Sequence, residues 1–214
     1  VESAFCGHVP ADCKLIETMG RWPGEGIGLL SFHMARLRAG AASLGYPFDA
    51  DRVAAALVGD CENPQRLRLT LDATGEVEVT TASLPRNPPF WTVKIAEARL
   101  RSDDPWLGIK TTNRVIYDEA RADLPPGVDE WLFLNERGEL CEGTISNLFV
   151  VTADGRHVTP ALSCGLLPGV LRQSLLQSGW REAVLTLDDL KDATEAFMGN
   201  SLRGLIPVRM APIA

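Results

Sequence analysis

The apolar positions of this 214-residue chain change period several times, and each change marks an element. From Lys14 to Leu30 two short apolar runs are broken by Gly20, Pro23, Gly24, Gly26 and Gly28, which predicts a strand, a turn and a second strand. From Phe32 the period lengthens: Met34, Leu37, Ala41 and Leu44 recur at steps of three and four, and Gly45 and Pro47 stop the pattern, predicting an amphipathic helix to Gly45. A short helix is expected at Asp51–Val58. Leu67, Leu69, Leu71 and Val77, Val79 then alternate around Asp72–Gly75, as in a tight hairpin. Residues 1–82 therefore read as an α+β domain.

Residues 83–90 hold Pro85, Pro88 and Pro89, which forbid a helix or a central strand and mark an interdomain linker. Residues 91–214 read as a strand-rich α/β domain that carries Lys110. Strands are expected at 91–98, 130–134 and 139–151, with turns at Arg137-Gly138 and Ala153–Gly155, then a strand at 183–187 and a last pair within 196–210. Helices are expected at 112–122, 169–177 and 188–193. The fold class is α+β, in two domains.

Composition narrows the function. With 28 acidic against 21 basic residues the formal net charge is −7, so the chain lacks the basic footprint that nucleic-acid binding needs. No apolar run approaches the roughly 18–20 residues that span a bilayer, and Val1–Pro10 lacks a signal-peptide pattern, so the expectation is a cytoplasmic protein without a membrane partner. Cys6, Cys13, Cys61, Cys141 and Cys164 are scattered, with no C-x-x-C pair, and read as reduced thiols. With His8, His33 and His157 the only histidines, no Cys/His metal site is expected.

Gly24-Glu-Gly26-Ile-Gly28 places its third glycine one position early for a dinucleotide loop and has no βαβ surroundings. Lys110 stands out among only four lysines. It follows Trp106, Leu107 and Ile109 at a helix entry, where desolvation would lower an amine's pKa toward what a Schiff-base lysine needs. Local context alone favours a solvated loop lysine. Glu142 precedes a Gly-Thr step between strand-like segments and is placed to pair with a cationic heteroaromatic nitrogen, or is a plain hairpin-edge acid. Leu167-Pro168-Gly169-Val170 opens a helix whose free amides suit an anion, or is an ordinary helix start. Arg36 offers a bidentate clamp, or lies on a solvated helix face. Together these are the parts of a site for a cofactor bearing a phosphate and an aldehyde.

Six motifs in order carry a resemblance over about residues 15–208: Ile16-Glu-Thr-Met19; His33-x-x-Arg36-Leu37; Lys110-Thr-Thr-Asn-Arg114; Glu142-Gly-Thr-Ile-Ser-Asn-Leu-Phe149; Thr159-Pro160 with Gly165-Leu-Leu-Pro-Gly-Val-Leu-Arg172; and Asn200-Ser-Leu-Arg-Gly-Leu-Ile-Pro-Val208. The chain thereby resembles the class IV aminotransferases, the fold-type IV pyridoxal 5′-phosphate enzymes. The resemblance implies a two-domain, D-amino-acid aminotransferase-like architecture, a homodimer, and a small-molecule substrate. It implies that Lys110 binds the cofactor covalently and acts as the catalytic base, and that Glu142 faces the pyridine nitrogen. Arg36, the amides of Val170 and Leu171, and Ser201 would hold the phosphate, with Asn147, Leu167 and Gly169 completing the cofactor set. Thr18 matches a substrate-side position, or is a core strand threonine.

Within the family, Lys-Thr-Thr-Asn-Arg, Asn-Glu-Arg-Gly-Glu and Asn-Ser-Leu-Arg-Gly look most like the aminodeoxychorismate lyases. These convert 4-amino-4-deoxychorismate to 4-aminobenzoate and pyruvate for folate biosynthesis. The alternatives are an aminotransferase for branched-chain or D-amino acids and, from another class, a pyridoxal-phosphate-binding or interaction protein without catalysis. The stretch from Cys6 to Cys13 departs from the family's Asp-x-Gly pattern ahead of the first strand.

Overall fold

A computed structural model describes Phe5 and residues 9–211; Cys6, His8 and most of the Val1–Pro10 stretch lie outside the described residues. The chain divides into two units, one running to Arg86 and including Ile109–Asn113, the other comprising Asn87–Gly108 and the residues from Arg114 on. Among the described residues no helix is long and apolar enough to cross a membrane, and Cys13, Cys61, Cys141 and Cys164 are free thiols.

The first unit is a four-stranded sheet of order β2-β1-β3-β4, built from β1 (Leu15–Trp22), β2 (Gly26–Ile27), β3 (Gln65–Leu71) and β4 (Val77–Ser83), with helices α1 (Leu30–Leu44) and α2 (Ala50–Ala56). Leu15, Met19, Leu67, Leu69 and Leu71 share one core with Leu37 and Ala41 of α1 and Val53 of α2. Asp49 caps α2 by accepting from the Asp51 and Arg52 amides at 3.0 and 3.1 Å.

Residues 109–113 belong to this unit, not with 91–108 as the sequence suggested. Thr111 bridges Leu15, the Ile16 amide donates to the Lys110 carbonyl at 2.9 Å, and the Thr112 amide donates to the Lys14 carbonyl at 2.8 Å. Strand-like pairing here also delays the expected helix, which starts at Val115 rather than 112.

The second unit holds β5 (Trp91–Leu100), α3 (Val115–Ala122), β6 (Glu130–Asn135), β7 (Leu140–Gly143), β8 (Asn147–Val151), β9 (His157–Pro160), α4 (Val170–Gln177), β10 (Arg181–Ala183), α5 (Leu187–Lys191), β11 (Glu195–Asn200) and β12 (Gly204–Met210). The order is β10-β9-β8-β11-β12-β5-β6-β7, and an added β7–β8 pairing closes the strands from β8 to β7 into a ring. Val93, Leu132, Leu134, Leu140, Leu148, Val150, Met198 and Ile206 form its core.

Two expectations shift. The single strand expected at 139–151 breaks at 144–146 because Glu130 captures that segment's amides, as described below. The strand expected at 183–187 lies at 181–183, because Thr186 opens α5 with a capping box to Asp189.

Candidate active site

Glu142 of β7 and Asn147 of β8 are cross-strand partners, so their side chains leave the same face. The Asn147 Nδ2 donates to Glu142 Oε2 at 3.2 Å and to the Leu167 carbonyl at 3.0 Å. The Tyr117 hydroxyl and the Leu167 amide donate to Glu142 Oε1 at 2.7 and 3.0 Å. Glu142 is 5% exposed, so it is a buried carboxylate held at both oxygens. Burial first, and then the charge of Glu142, push the Tyr117 phenol well above its usual range, leaving it a hydrogen-bond donor at neutral pH.

A second buried carboxylate shapes this first one. Glu130 of β6 is fully buried and accepts from the Thr144 amide (3.1 Å), the Thr144 hydroxyl (2.5 Å), the Ile145 amide (3.2 Å) and the Ser146 hydroxyl (2.9 Å). Gly143 permits this approach: a Cβ there would stand 2.9 Å from the Glu130 carboxyl carbon and 2.7 Å from the Ser146 hydroxyl. The turn between Glu142 and Asn147 is thus wound around a buried acid. Arg121 adds a 3.5 Å ion pair to Glu130, and Arg114 donates to the Thr144 carbonyl at 2.5 Å.

The Leu167 amide bonded to Glu142 leads into the start of α4. Gly169 is its N-cap, with no side-chain cap, and the amides of Val170 and Leu171 find no acceptor among the described residues. Such amides and the helix dipole attract an anion. A Cβ at residue 169 would fall 1.9 Å from Asn147 Oδ1, so any larger residue there would displace the Asn147 side chain. Ser201 follows β11 in a turn that Asn200 organises by accepting from the Leu202 and Arg203 amides. Asn200 also donates to the Ile145 carbonyl at 3.0 Å, tying this turn to the Glu142 turn. Glu142, Asn147, Leu167, Gly169 and the Asn200–Ser201 turn therefore belong to one hydrogen-bonded region of the second unit.

The first unit holds Lys110, Arg36 and Thr18. Lys110 is half-buried beside the start of β1, and Thr18 is a half-buried β1 residue in register with Arg68 of β3. Arg36 is not on a solvated face. Its Nε and Nη2 grip Glu17 at 2.8 and 2.6 Å, and His33 Nδ1 meets the same carboxylate at 2.6 Å. Burial raises the Glu17 pKa, but the Arg36 charge and the hydrogen bonds from Arg36 and His33 outweigh it and hold the carboxyl below its ordinary range. The side-on edge of the guanidinium is thus committed, and only the Nη1 side of Arg36 makes no hydrogen bond among the described residues.

Sequence reasoning assigned no role to Tyr117, Glu130, Arg114 or Arg121. The available signals were Arg114 at the end of the Lys110 motif, where it is the N-cap of α3, and the four-residue step from Tyr117 to Arg121, which puts those two on one face of α3. The second unit carries a buried carboxylate suited to a cation and free amides suited to an anion; the first carries a guanidinium held by its own carboxylate and a half-buried lysine.

Residues 14–211 match the family described as amino-transferase class IV. A Schizosaccharomyces pombe protein provisionally named an aminodeoxychorismate lyase is 29% identical over 204 residues, covering 90% of this chain and 87% of its own length. A solved structure from Mesorhizobium loti, provisionally named an amino-acid aminotransferase, is 42% identical with a TM-score of 0.88, covering 94% of this chain and 100% of that one. The 4-amino-4-deoxychorismate lyase of Pseudomonas aeruginosa is 28% identical with a TM-score of 0.73, covering 92% of this chain and 82% of that one.

Proposed function

Because the chain belongs to the class IV aminotransferases, which depend on pyridoxal 5′-phosphate, we propose that it converts 4-amino-4-deoxychorismate to 4-aminobenzoate and pyruvate. The residues fit the cofactor. Gly169 lets the Asn147 side chain pass close to the start of α4, the Val170 and Leu171 amides are uncommitted, and Nη1 of Arg36 makes no hydrogen bond among the described residues. When bound, the cofactor supplies an aldehyde for amines and a ring that withdraws electrons from the substrate's amine-bearing carbon.

Lys110 would hold the cofactor covalently until substrate arrives. Its freed ε-amine would then take the proton from the amine-bearing carbon. Glu142 would keep the ring nitrogen protonated, since a buried, hydrogen-bonded carboxylate stabilises the adjacent cation. Arg36, the α4 amides and Ser201 would orient the phosphate, and Thr18 would present a hydroxyl to substrate. Enolpyruvate leaves with its oxygen as the C–O bond breaks, and a proton returned to it gives pyruvate while the ring becomes aromatic. The proposed setting is a cytoplasmic homodimer in folate biosynthesis.

The observation that carries the lyase reading is similarity along nearly the whole chain to the S. pombe protein, supported by the P. aeruginosa lyase. The 42% identity to the M. loti protein favours a second reading, amino transfer, in which an oxo acid would receive the amino group and no enolpyruvate would be lost. Protein loaded with pyridoxal phosphate and given 4-amino-4-deoxychorismate should release equal amounts of 4-aminobenzoate and pyruvate without an oxo acid. Amino transfer that requires an oxo acid and releases no 4-aminobenzoate would overturn the lyase reading.

A further inference from the structure

One face of α3 is turned to the Glu142 segment. Arg114, Tyr117 and Arg121 follow one another at steps of three and four. Arg114 donates to the Thr144 carbonyl at 2.5 Å, Tyr117 to Glu142 Oε1 at 2.7 Å, and Arg121 to the Thr144 hydroxyl at 3.1 Å. Tyr117 is 8% exposed, its ring edge-on to Phe133 at 5.5 Å and beneath the Arg114 guanidinium at 5.2 Å. A phenylalanine would make both ring contacts, so what the tyrosine adds is a donor aimed at a buried carboxylate.

We propose that Tyr117 is a positioning residue for Glu142: its hydroxyl fixes Oε1, with the Leu167 amide, so that the carboxylate is presented ionised and in one orientation to a protonated ring nitrogen. The inference rests on the cofactor reading above and goes beyond it. Two donors on one oxygen restrict rotation of the carboxylate, and donors to the charged form favour that form. The phenol is suited to the task because burial and the neighbouring charge keep its proton in place throughout the neutral range.

The test combines Tyr117→Phe, Glu142→Ala and the double variant, reading the equilibrium dissociation constant of pyridoxal phosphate by absorbance. With Glu142 present, Tyr117→Phe should raise that constant about tenfold, as expected for loss of a charge-assisted hydrogen bond. In the Glu142→Ala background its effect should shrink to roughly twofold or less, because a residue acting through another has nothing left to act on. A Tyr117→Phe effect of the same size in both backgrounds, or none in either, overturns the inference while leaving the cofactor reading intact. Wild-type protein that binds no pyridoxal phosphate overturns both.

A second measurement holds even if Glu142→Ala does not fold. The chain has two tyrosines, so in Tyr46→Phe protein without cofactor the ultraviolet phenolate signal reports Tyr117 alone. Glu142→Gln should move its ionisation down toward the ordinary phenol value. An unmoved midpoint would show that the hydroxyl and the carboxylate are not coupled.

Discussion

Glu17 is a carboxylate 1% exposed, with His33 and Arg36 on its oxygens. Removing one partner of such a buried arrangement leaves the others uncompensated, so Glu17→Gln should destabilise the protein by about 3–5 kcal/mol near neutrality. The sign with pH follows from the lowered pKa. Glu17 contributes stability above its unfolded value, near pH 4, and loses it as pH falls through the still lower folded value. Urea denaturation of both proteins from pH 7 downward should show the wild-type advantage narrowing under acid; a gap that widens there would contradict the ion pair. At this scale the sequence was legible as motif more than as contact. It singled out Arg36 as a clamp, but not that Glu17, in the same Glu-Thr motif as Thr18, commits one edge of its guanidinium. Strand and helix periodicities reveal which face a residue occupies, not which partner it meets across the core.

The turn at 144–146 shows what an element-level pattern leaves out. Residues 139–151 read as one strand because apolar residues recur along them with no proline between, whereas the break comes from Glu130, 14–16 residues away in sequence. No local signature announces an acid that will accept two backbone amides and two hydroxyls of a distant turn. Glu130→Ala should leave those donors buried without an acceptor and cost about 3–5 kcal/mol, read as a lowered urea midpoint; an unchanged midpoint would mean the turn holds without it. Gly169→Ala tests the adjoining element. Its backbone is ordinary, so the clash with Asn147 outweighs the smaller entropic gain of an alanine, and a loss of about 1–3 kcal/mol in the same assay is expected. By contrast α1 and the hairpin of β3 and β4 follow their periods and stop signals closely, because each buries one face against the core of the first unit.

At the scale of the molecule, the prolines of residues 83–90 bracket the boundary at Arg86 and Asn87, yet the lysine segment 109–113 crosses back to the first unit. Local composition does not show that return, since it depends on backbone pairing between Lys110 and Ile16 and between Lys14 and Thr112. The order of six motifs, each short, made the family legible; three short segments point toward the lyases within it, and the product assay decides between lyase and transaminase. The claim on which the rest depends is that the cofactor is held through Lys110. Protein loaded with pyridoxal phosphate, reduced with borohydride, digested and read by mass spectrometry should carry the pyridoxyl mass on the peptide containing Lys110, and Lys110→Ala should carry none. A modified peptide bearing Lys14, Lys94 or Lys191 instead, or an adduct that survives in Lys110→Ala, would contradict it.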